Sequence, residues 1–352
     1  MSDKRARIGF VGAGSMGQCA HLRNYVSIAE CEVVALAEPR EKTARQVAQR
    51  YGVPKVYPCG AEMAASEELD GIVASQPFTR HGVVLPDLVK TGLPVFIEKP
   101  LAGSVRVGEA IVRAVSRSGG TLMVGYMKRS DPATAYARSQ IDALKESGEL
   151  GRLTYVRILM PAGDWVAGGF TDLIRSDDPA PKLEFDPPAD DMDEQTNRKY
   201  VSFVNYYIHQ INLLRHLLGE PYQVTYADPS GVVLAARSRS GVACVIEMTP
   251  YRTTIDWQES ALVAFENGYV KLTLLAPLAA NRPGAVEFLR DPGEGKTPEV
   301  IRPHLPWLSA MRQQAINFVK VVRGEADPPC DAAEALEDLR VARQYIRLLT
   351  GC

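Results

Sequence analysis

Residues Ile8-Gly9-Phe10-Val11-Gly12-Ala13-Gly14-Ser15-Met16-Gly17 constrain the fold of this chain more than any other stretch. A short apolar run, the pattern of a buried strand, passes directly into G-x-G-x-x-G and then into a helix-forming segment. Glycines at that spacing serve a strand-turn-helix crossing in a parallel sheet. Gly12 permits the tight turn, Gly14 lets the backbone approach a pyrophosphate, and Gly17 lets the helix pack close to the strand. Backbone N–H groups of the turn, Ser15 and Met16 included, together with the helix dipole, then hold phosphates.

An acidic residue belongs at the end of the next strand, about 20 residues on, and Glu38 ends the apolar run Glu32–Ala37. Its carboxylate accepts hydrogen bonds from the adenosine ribose hydroxyls and repels a 2′-phosphate, which favours NAD over NADP. Arg40 could instead pair with a 2′-phosphate, or be a surface arginine opening the helix Glu41–Tyr51.

The rest of the first third repeats the same alternation. Strands are predicted at Arg7–Val11, Glu32–Ala37, Gly71–Ser75, Val95–Ile97 and Thr121–Val124. Helices are predicted at Gly17–Ala29, Glu41–Tyr51, through Leu85–Lys90, and at Val107–Ser118. Strand-helix alternation of this kind gives an α/β, doubly wound parallel sheet covered on both faces. After Met127 the pattern changes. A helix at Tyr136–Ser147 and a strand at Leu153–Met160 precede an irregular stretch, Asp164–Lys199. A helix Tyr200–Leu218, stopped by Gly219, leads into extended segments at Gln223–Ala227, Gly231–Ala236, Val242–Met248, Ser260–Glu266, Val270–Leu274 and Ala285–Leu289. Several alternate apolar and polar residues, as an antiparallel sheet with one wet face does. Helices Pro306–Arg323 and Ala332–Thr350 close the chain. The expectation is a Rossmann domain over 1–127 and an α+β domain over 128–352, with the last helix free to pack back on the first domain.

At 352 residues the chain can bury two cores without disulfides. Its net charge of −2 creates no field for nucleic acid or an anionic membrane. The start lacks a secretory pattern, and no apolar run reaches the ~18–20 residues of a membrane span. The six cysteines form no C-x-x-C pair, so they read as reduced thiols of a cytoplasmic protein rather than metal ligands. No metal site is expected.

Glu98-Lys99-Pro100 follows an apolar strand, and ligands collect at the carboxyl ends of strands in an open parallel sheet. A lysine buried near a cofactor can exchange protons near neutral pH, whereas a lone Glu-Lys-Pro would be an ordinary solvated loop. Here it follows the glycine run, Glu38, and Pro77 with His81, and it precedes Val124-Gly125-Tyr126-Met127-Lys128-Arg129. In that combination the chain resembles the Gfo/Idh/MocA family, the glucose–fructose oxidoreductase and inositol dehydrogenase relatives. The later helix Asn205–Arg215 fits as well.

The resemblance implies a Rossmann domain followed by a domain with a large, mostly antiparallel open sheet, whose face forms a dimer or tetramer contact. It implies Lys99 as catalytic lysine, Glu98 as its helper at the nicotinamide side, and Pro77, Phe78 and His81 along the cofactor. Many relatives have Asn where Phe78 stands. It also makes Lys99–Pro100 a candidate cis peptide. Family dehydrogenases commonly carry Asp-x-x-x-His on the later helix, with a second Asp three residues after the His. This chain has Asn205, His209 and Asn212 at those places. His209 then partners the reacting hydroxyl, and Asn205 can orient that hydroxyl but cannot take its proton. More of the acid–base work falls on Lys99 or His209. Tyr126, Arg129 and Tyr206 are substrate contacts in this reading, while Tyr207 and Ile208 pack in the core. Trp165 is either a sugar-stacking face or core.

The implied activity is an NAD-dependent oxidation of a secondary hydroxyl on a sugar-like substrate, or the reverse. Two alternatives stay open: a glycoside hydrolase that oxidises its sugar transiently, and a non-catalytic NAD-bound sensor. Between Asp164 and Glu194 stand ten acidic residues against Arg175 and Lys182 alone. A negative rim attracts cations, which points to an amino sugar or aminoglycoside, unless the stretch is simply a solvated loop.

Overall fold

The apolar strands of the N-terminal third assemble into one parallel sheet. The computed structural model describes residues 4–179, 181–293 and 295–351. The chain divides into two compact units. The first comprises Met1–Tyr126, Gly168–Asn197 and Gln314–Leu339; the second comprises Met127–Ala167, Arg198–Gln313 and Arg340–Cys352.

In the first unit the chain runs β1 (Ala6–Val11), a π-helical turn Gly17–Leu22 with a short α1 (Arg23–Tyr25), β2 (Cys31–Ala37), α2 (Glu41–Tyr51), β3 (Lys55–Tyr57) and α3 (Gly60–Ser66). It continues through β4 (Gly71–Ala74), α4 (His81–Val89), β5 (Val95–Glu98), α5 (Val105–Ser118) and β6 (Leu122–Gly125). The strand order is β3-β2-β1-β4-β5-β6, with every pair parallel. Such a sheet is buried on both faces, which is why its strands read as continuous apolar runs. Ile8, Phe10, Leu36, Ile72, Val73, Phe96 and Ile97 are all buried. The core also takes in Phe318, far along the chain, with its ring 5.7 Å from Phe96 and 6.3 Å from Tyr25. A second distant piece joins at the sheet edge, where Val124 N–H donates to the Cys330 carbonyl at 2.9 Å.

The helix expected at Gly17–Ala29 ends at Tyr25. Asn24 and Ser27 side chains bond the carbonyls of Ala20 and Arg23, competing for the groups a longer helix would use. β3 and α3 were not foreseen.

The second unit holds α6 (Met127–Ser130), α7 (Pro132–Ser147), β7 (Leu153–Ala162) and α8 (Glu194–Tyr206), of which residues 194–197 belong to the first unit. Then follow α9 (Ile208–Leu218), β8 (Tyr222–Ala227), β9 (Val233–Ser238), β10 (Ala243–Arg252), β11 (Glu259–Phe265), β12 (Gly268–Leu274), β13 (Ala285–Arg290) and β14 (Glu299–Ile301). They form an open sheet ordered β14-β13-β12-β11-β7-β10-β9-β8. Among the described residues its one parallel pair is β7 with β10. This is the large, mostly antiparallel sheet that was expected, and β11 shows strict alternation between buried and half-buried residues. The helices α10 (Ala310–Val322) and α11 (Ala332–Thr350) follow, with residues 314–322 and 332–339 belonging to the first unit. α10 starts later than Pro306, because Ser309 supplies its cap: the Arg312 N–H donates to Ser309 Oγ at 3.4 Å.

The single helix predicted at Tyr200–Leu218 is two helices that meet at Tyr207. Tyr207 packs its ring against Phe203 and Tyr206 and hydrogen-bonds Thr249 through its hydroxyl. The first helix also starts earlier than expected, because the Asp193 carboxylate accepts the Thr196 N–H at 2.8 Å.

Asp131 caps α7 and ties it to the strand region, accepting N–H groups from Ala133 at 2.8 Å and Gly284 at 3.0 Å. Burial pushes its carboxyl up to about 6, against those two bonds. The folded state therefore holds this proton more tightly than the unfolded chain does. The associated stability is present below pH ~4 and is lost as pH rises through ~6, about two pKa units or ~2–3 kcal/mol. Asp131→Asn keeps an acceptor without the charge. It should match or exceed the wild-type melting temperature at pH 7.5 and lose that advantage at pH 4. A wild type more stable than this variant at pH 7.5 would refute the assignment.

Candidate active site

Three loops leave the carboxyl ends of β1, β4 and β5, adjacent strands at the point where the strand order reverses. That edge is where an open parallel sheet takes its ligands. In the first loop Gly12 has φ +97°, and a Cβ there would lie 2.3 Å from the Ser75 carbonyl oxygen. A Cβ on Gly17 would lie 2.2 Å from the Gly12 carbonyl oxygen. A Cβ on Gly14 would meet nothing within 4 Å. The protein itself therefore demands the first and third glycines. The second keeps open a space that no atom of the described residues fills, as a pyrophosphate-binding turn requires. Ser15 and Met16, both half-buried, complete the turn.

This pattern separates two substitutions. Gly14→Val should leave the melting temperature unchanged and weaken NAD binding at least ~10-fold, because it fills only the ligand's space. Gly17→Ala should destabilise the fold itself. Calorimetric titration and thermal melts check both, and a Gly14→Val protein that binds NAD normally would remove the turn from the site.

Glu38 stands where expected, buried at the end of β2. Its carboxylate accepts the Ala13 N–H at 2.8 Å, joining the loops after β1 and β2. It also holds the Arg40 side chain at 2.7 and 2.9 Å and the Arg40 N–H at 3.1 Å. Burial pushes this carboxyl up, but the Arg40 and Ala13 bonds outweigh burial and leave it below the usual range. Arg40 is thus the partner of Glu38, and the same bonds raise its own pKa.

After β4, Pro77 is exposed and Phe78 half-buried at the start of a 3-10 turn. His81 is buried, with Nδ1 3.1 Å from the Leu101 carbonyl oxygen. Burial lowers its pKa and favours the neutral ring. β5 ends on Glu98, 8% exposed; Lys99 follows, half-buried, and the Lys99–Pro100 peptide is cis. One Glu98 oxygen accepts the Lys99 N–H at 3.1 Å, and the other lies 2.6 Å from His21 Nε2. Burial pushes Glu98 up, and His21 with the Lys99 charge brings it net below its ordinary value. His21, buried with its ring 5.2 Å from Phe96, was missed in the sequence. The one available signal was its place on the first turn beyond Gly17. Tyr126, also in this unit, is buried.

The remaining expected residues lie in the second unit. Arg129 is buried and donates through Nε to Asn212 Oδ1 at 2.8 Å. Asn205 is exposed near the end of α8; His209, half-buried, is the second residue of α9. The break at Tyr207 falls between them, so they do not share the one helix predicted over Tyr200–Leu218. Tyr206 and Trp165 are half-buried. Lys128, beside Arg129, forms a buried ion pair with Glu259. Among the described residues no group of three or more His, Cys, Asp or Glu could hold a metal, and no helix is long and apolar enough to cross a membrane.

A six-stranded parallel sheet in this order, with a glycine turn at its reversal, is a dinucleotide-binding Rossmann unit. Residues 6–126, about a third of the chain, match the model of the Gfo/Idh/MocA oxidoreductase family with NAD-binding Rossmann fold. The chain is 28% identical over 233 residues to the scyllo-inositol 2-dehydrogenase (NAD(+)) of Bacillus subtilis. That match covers 66% of this chain and 59% of the relative, so less than two thirds of the relative's length is spanned. In fold it resembles a putative NADPH-dependent oxidoreductase of Desulfitobacterium hafniense (TM-score 0.77, 12% identity, 100% and 97% of the chains). It also resembles a levoglucosan dehydrogenase solved with NADH and levoglucosan (TM-score 0.74, 16% identity, 99% and 98%).

Proposed function

We propose that this chain is an NAD-dependent dehydrogenase that oxidises a secondary hydroxyl of a sugar or polyol to a ketone, or runs the reverse. The observation that carries this reading is Glu98-Lys99 at the end of β5, two strands from the glycine turn at the end of β1, or ~10 Å at the usual strand spacing. A dehydrogenase of inositol among the relatives supports the substrate class.

Gly12, Gly14, Ser15, Met16 and Gly17 would hold the pyrophosphate. Glu38 would take the adenosine ribose, whose hydroxyls would replace Arg40 bonds, and Pro77 and Phe78 would line the dinucleotide. When bound, NAD supplies the hydride acceptor. Lys99 takes the proton from the substrate hydroxyl, or returns it in reduction. Glu98, fixed by His21, holds the Lys99 backbone and so the root of that side chain. In the second unit His209 is assigned a hydrogen bond to the substrate. Asn205, Tyr206, Arg129 and Trp165 are assigned substrate contacts, as is Tyr126 of the first unit. The open sheet is assigned the contact of a homo-oligomer.

The expectation of an amino sugar drew on the acidic stretch. Several of its carboxylates hold the chain instead: Asp178 bonds α2, Asp186 bonds α4, Asp190 pairs with Arg106 and Asp193 caps α8. A neutral sugar or polyol is therefore the substrate proposed. The test is incubation of the purified chain with NAD and a panel of neutral and amino sugars, inositols and glycosides, followed at 340 nm and by product mass. NADH with a ketone product is expected. Glycoside cleavage without net NADH would point to the hydrolase, and tight NAD binding without any product to a sensor.

A further inference from the structure

The segment 168–197 belongs to the Rossmann unit and is bonded along its carboxyl-terminal edge. Ile174 exchanges two hydrogen bonds with the Gln18 side chain, at 3.0 and 3.1 Å, and Gln18 also donates to the Ala13 carbonyl of the glycine turn at 2.8 Å. Farther along, Arg80 donates to the Glu184 carbonyl at 2.7 Å, and the Asp186 carboxylate accepts the Gly82 N–H at 3.0 Å. The segment is thus a strap fixed to the loops after β1 and β4.

Between those anchors it delivers an anion to the start of α2. That helix opens directly after Glu38-Pro39-Arg40, and its own N-cap, Arg40, offers no side-chain acceptor. Its first N–H groups are supplied from the strap instead. Asp178 accepts the Thr43 N–H at 2.8 Å and the Lys42 N–H at 3.3 Å. Ser176 Oγ donates to Asp178 at 2.7 Å and lies 2.7 Å from Thr43 Oγ1. Lys42 Nζ bonds Asp177 at 2.8 Å. Donors beside Arg40 that could receive a phosphate on the ribose are therefore engaged by the strap's carboxylates: the Lys42 ammonium by Asp177, and the Lys42 and Thr43 N–H groups by Asp178.

We propose that Asp178, with Asp177, is a determinant of dinucleotide specificity: the chain's own carboxylates occupy the position of a 2′-phosphate and so exclude NADP. This rests on the reading of the site as NAD-binding, and adds to Glu38 a second barrier from a segment outside the Rossmann strands and helices. A phosphate entering there must displace Asp178 from two backbone N–H groups and face two negative charges. A ribose 2′-hydroxyl does neither.

The experiment is calorimetric titration of NAD and of NADP into the purified full chain. In the wild type NADP should bind ~100-fold or more weakly than NAD, and the gap should narrow as ionic strength rises, since the repulsion is screened. Asp178→Asn keeps a capping oxygen and removes charge. It should tighten NADP ~5–10-fold, and Asp177→Asn with Asp178→Asn more, at nearly constant NAD affinity. Asp178→Glu, which keeps the charge, should leave the ratio as in the wild type. Unchanged ratios in both asparagine variants, with NAD still bound, would overturn this inference alone. So would a wild type that binds NADP as tightly as NAD. A wild type that binds neither dinucleotide would overturn the NAD reading and this inference together.

Discussion

Replacing Lys99 by alanine should lower kcat about a thousandfold, within the range that a positioned proton-transfer group contributes, while NAD still binds. The lysine sits at the end of β5 and its backbone N–H is held by Glu98, which is itself fixed by His21. Removal of the amine leaves that backbone framework intact, so the loss should appear in kcat and not in NAD affinity. Small primary amines added to the Lys99→Ala protein should restore part of the rate, because the missing group is a base and not a binding surface. NAD titration and initial rates at 340 nm measure both. A fall of only a few fold, or a rate that amines cannot raise, would assign the proton transfer to another group.

The second large effect concerns stability. Lys128 and Glu259 form an ion pair shut away from water, and Glu259 also accepts from Gln210 Nε2 at 2.7 Å and Trp257 Nε1 at 3.2 Å. The ammonium lies 5.7 Å from the Trp257 ring centroid. Breaking such a pair from one side leaves a buried charge without its counterion, which costs about 3–5 kcal/mol. Glu259→Gln should therefore destabilise the second unit strongly. Adding Lys128→Met removes the stranded charge while the single amide oxygen still accepts from either Gln210 or Trp257, so the double variant should recover part of the loss. Denaturant unfolding of the four proteins closes the cycle. A double variant as unstable as Glu259→Gln alone would show that the pair is not what holds this region.

The doubly wound half was legible because each central strand is a short apolar run framed by periodic helices, and because Gly12 and Gly17 are steric requirements visible as letters. β3, with three residues and an exposed surface, carries no period to read. The break at Tyr207 was hidden because apolar residues continue at helical spacing through Val204, Ile208 and Ile211. The places of Glu38 and Lys99 at the ends of β2 and β5 were legible from the apolar runs before them. His21 was not, since its partner Glu98 lies 77 residues away. Asp178 bonds Thr43 across 135 residues. In composition it is merely one of many acids in a polar stretch, and only a folded chain distinguishes a helix cap from a solvated charge. Burial of Arg129 against Asn212 was equally out of reach from spacing alone.

Phe318 has a consequence for how this molecule is made. Its ring completes an aromatic cluster with Phe96 and Tyr25, yet it emerges from the ribosome more than two hundred residues after Phe96. During that interval the nascent N-terminal region has its strands but not the side chain that plugs them, a deficit of about 3–5 kcal/mol by analogy with large-to-small core changes. Synthesis must pass that late aromatic before the early region can close, so a fragment stopped after β6 would keep a sticky hollow where the mature protein is sealed.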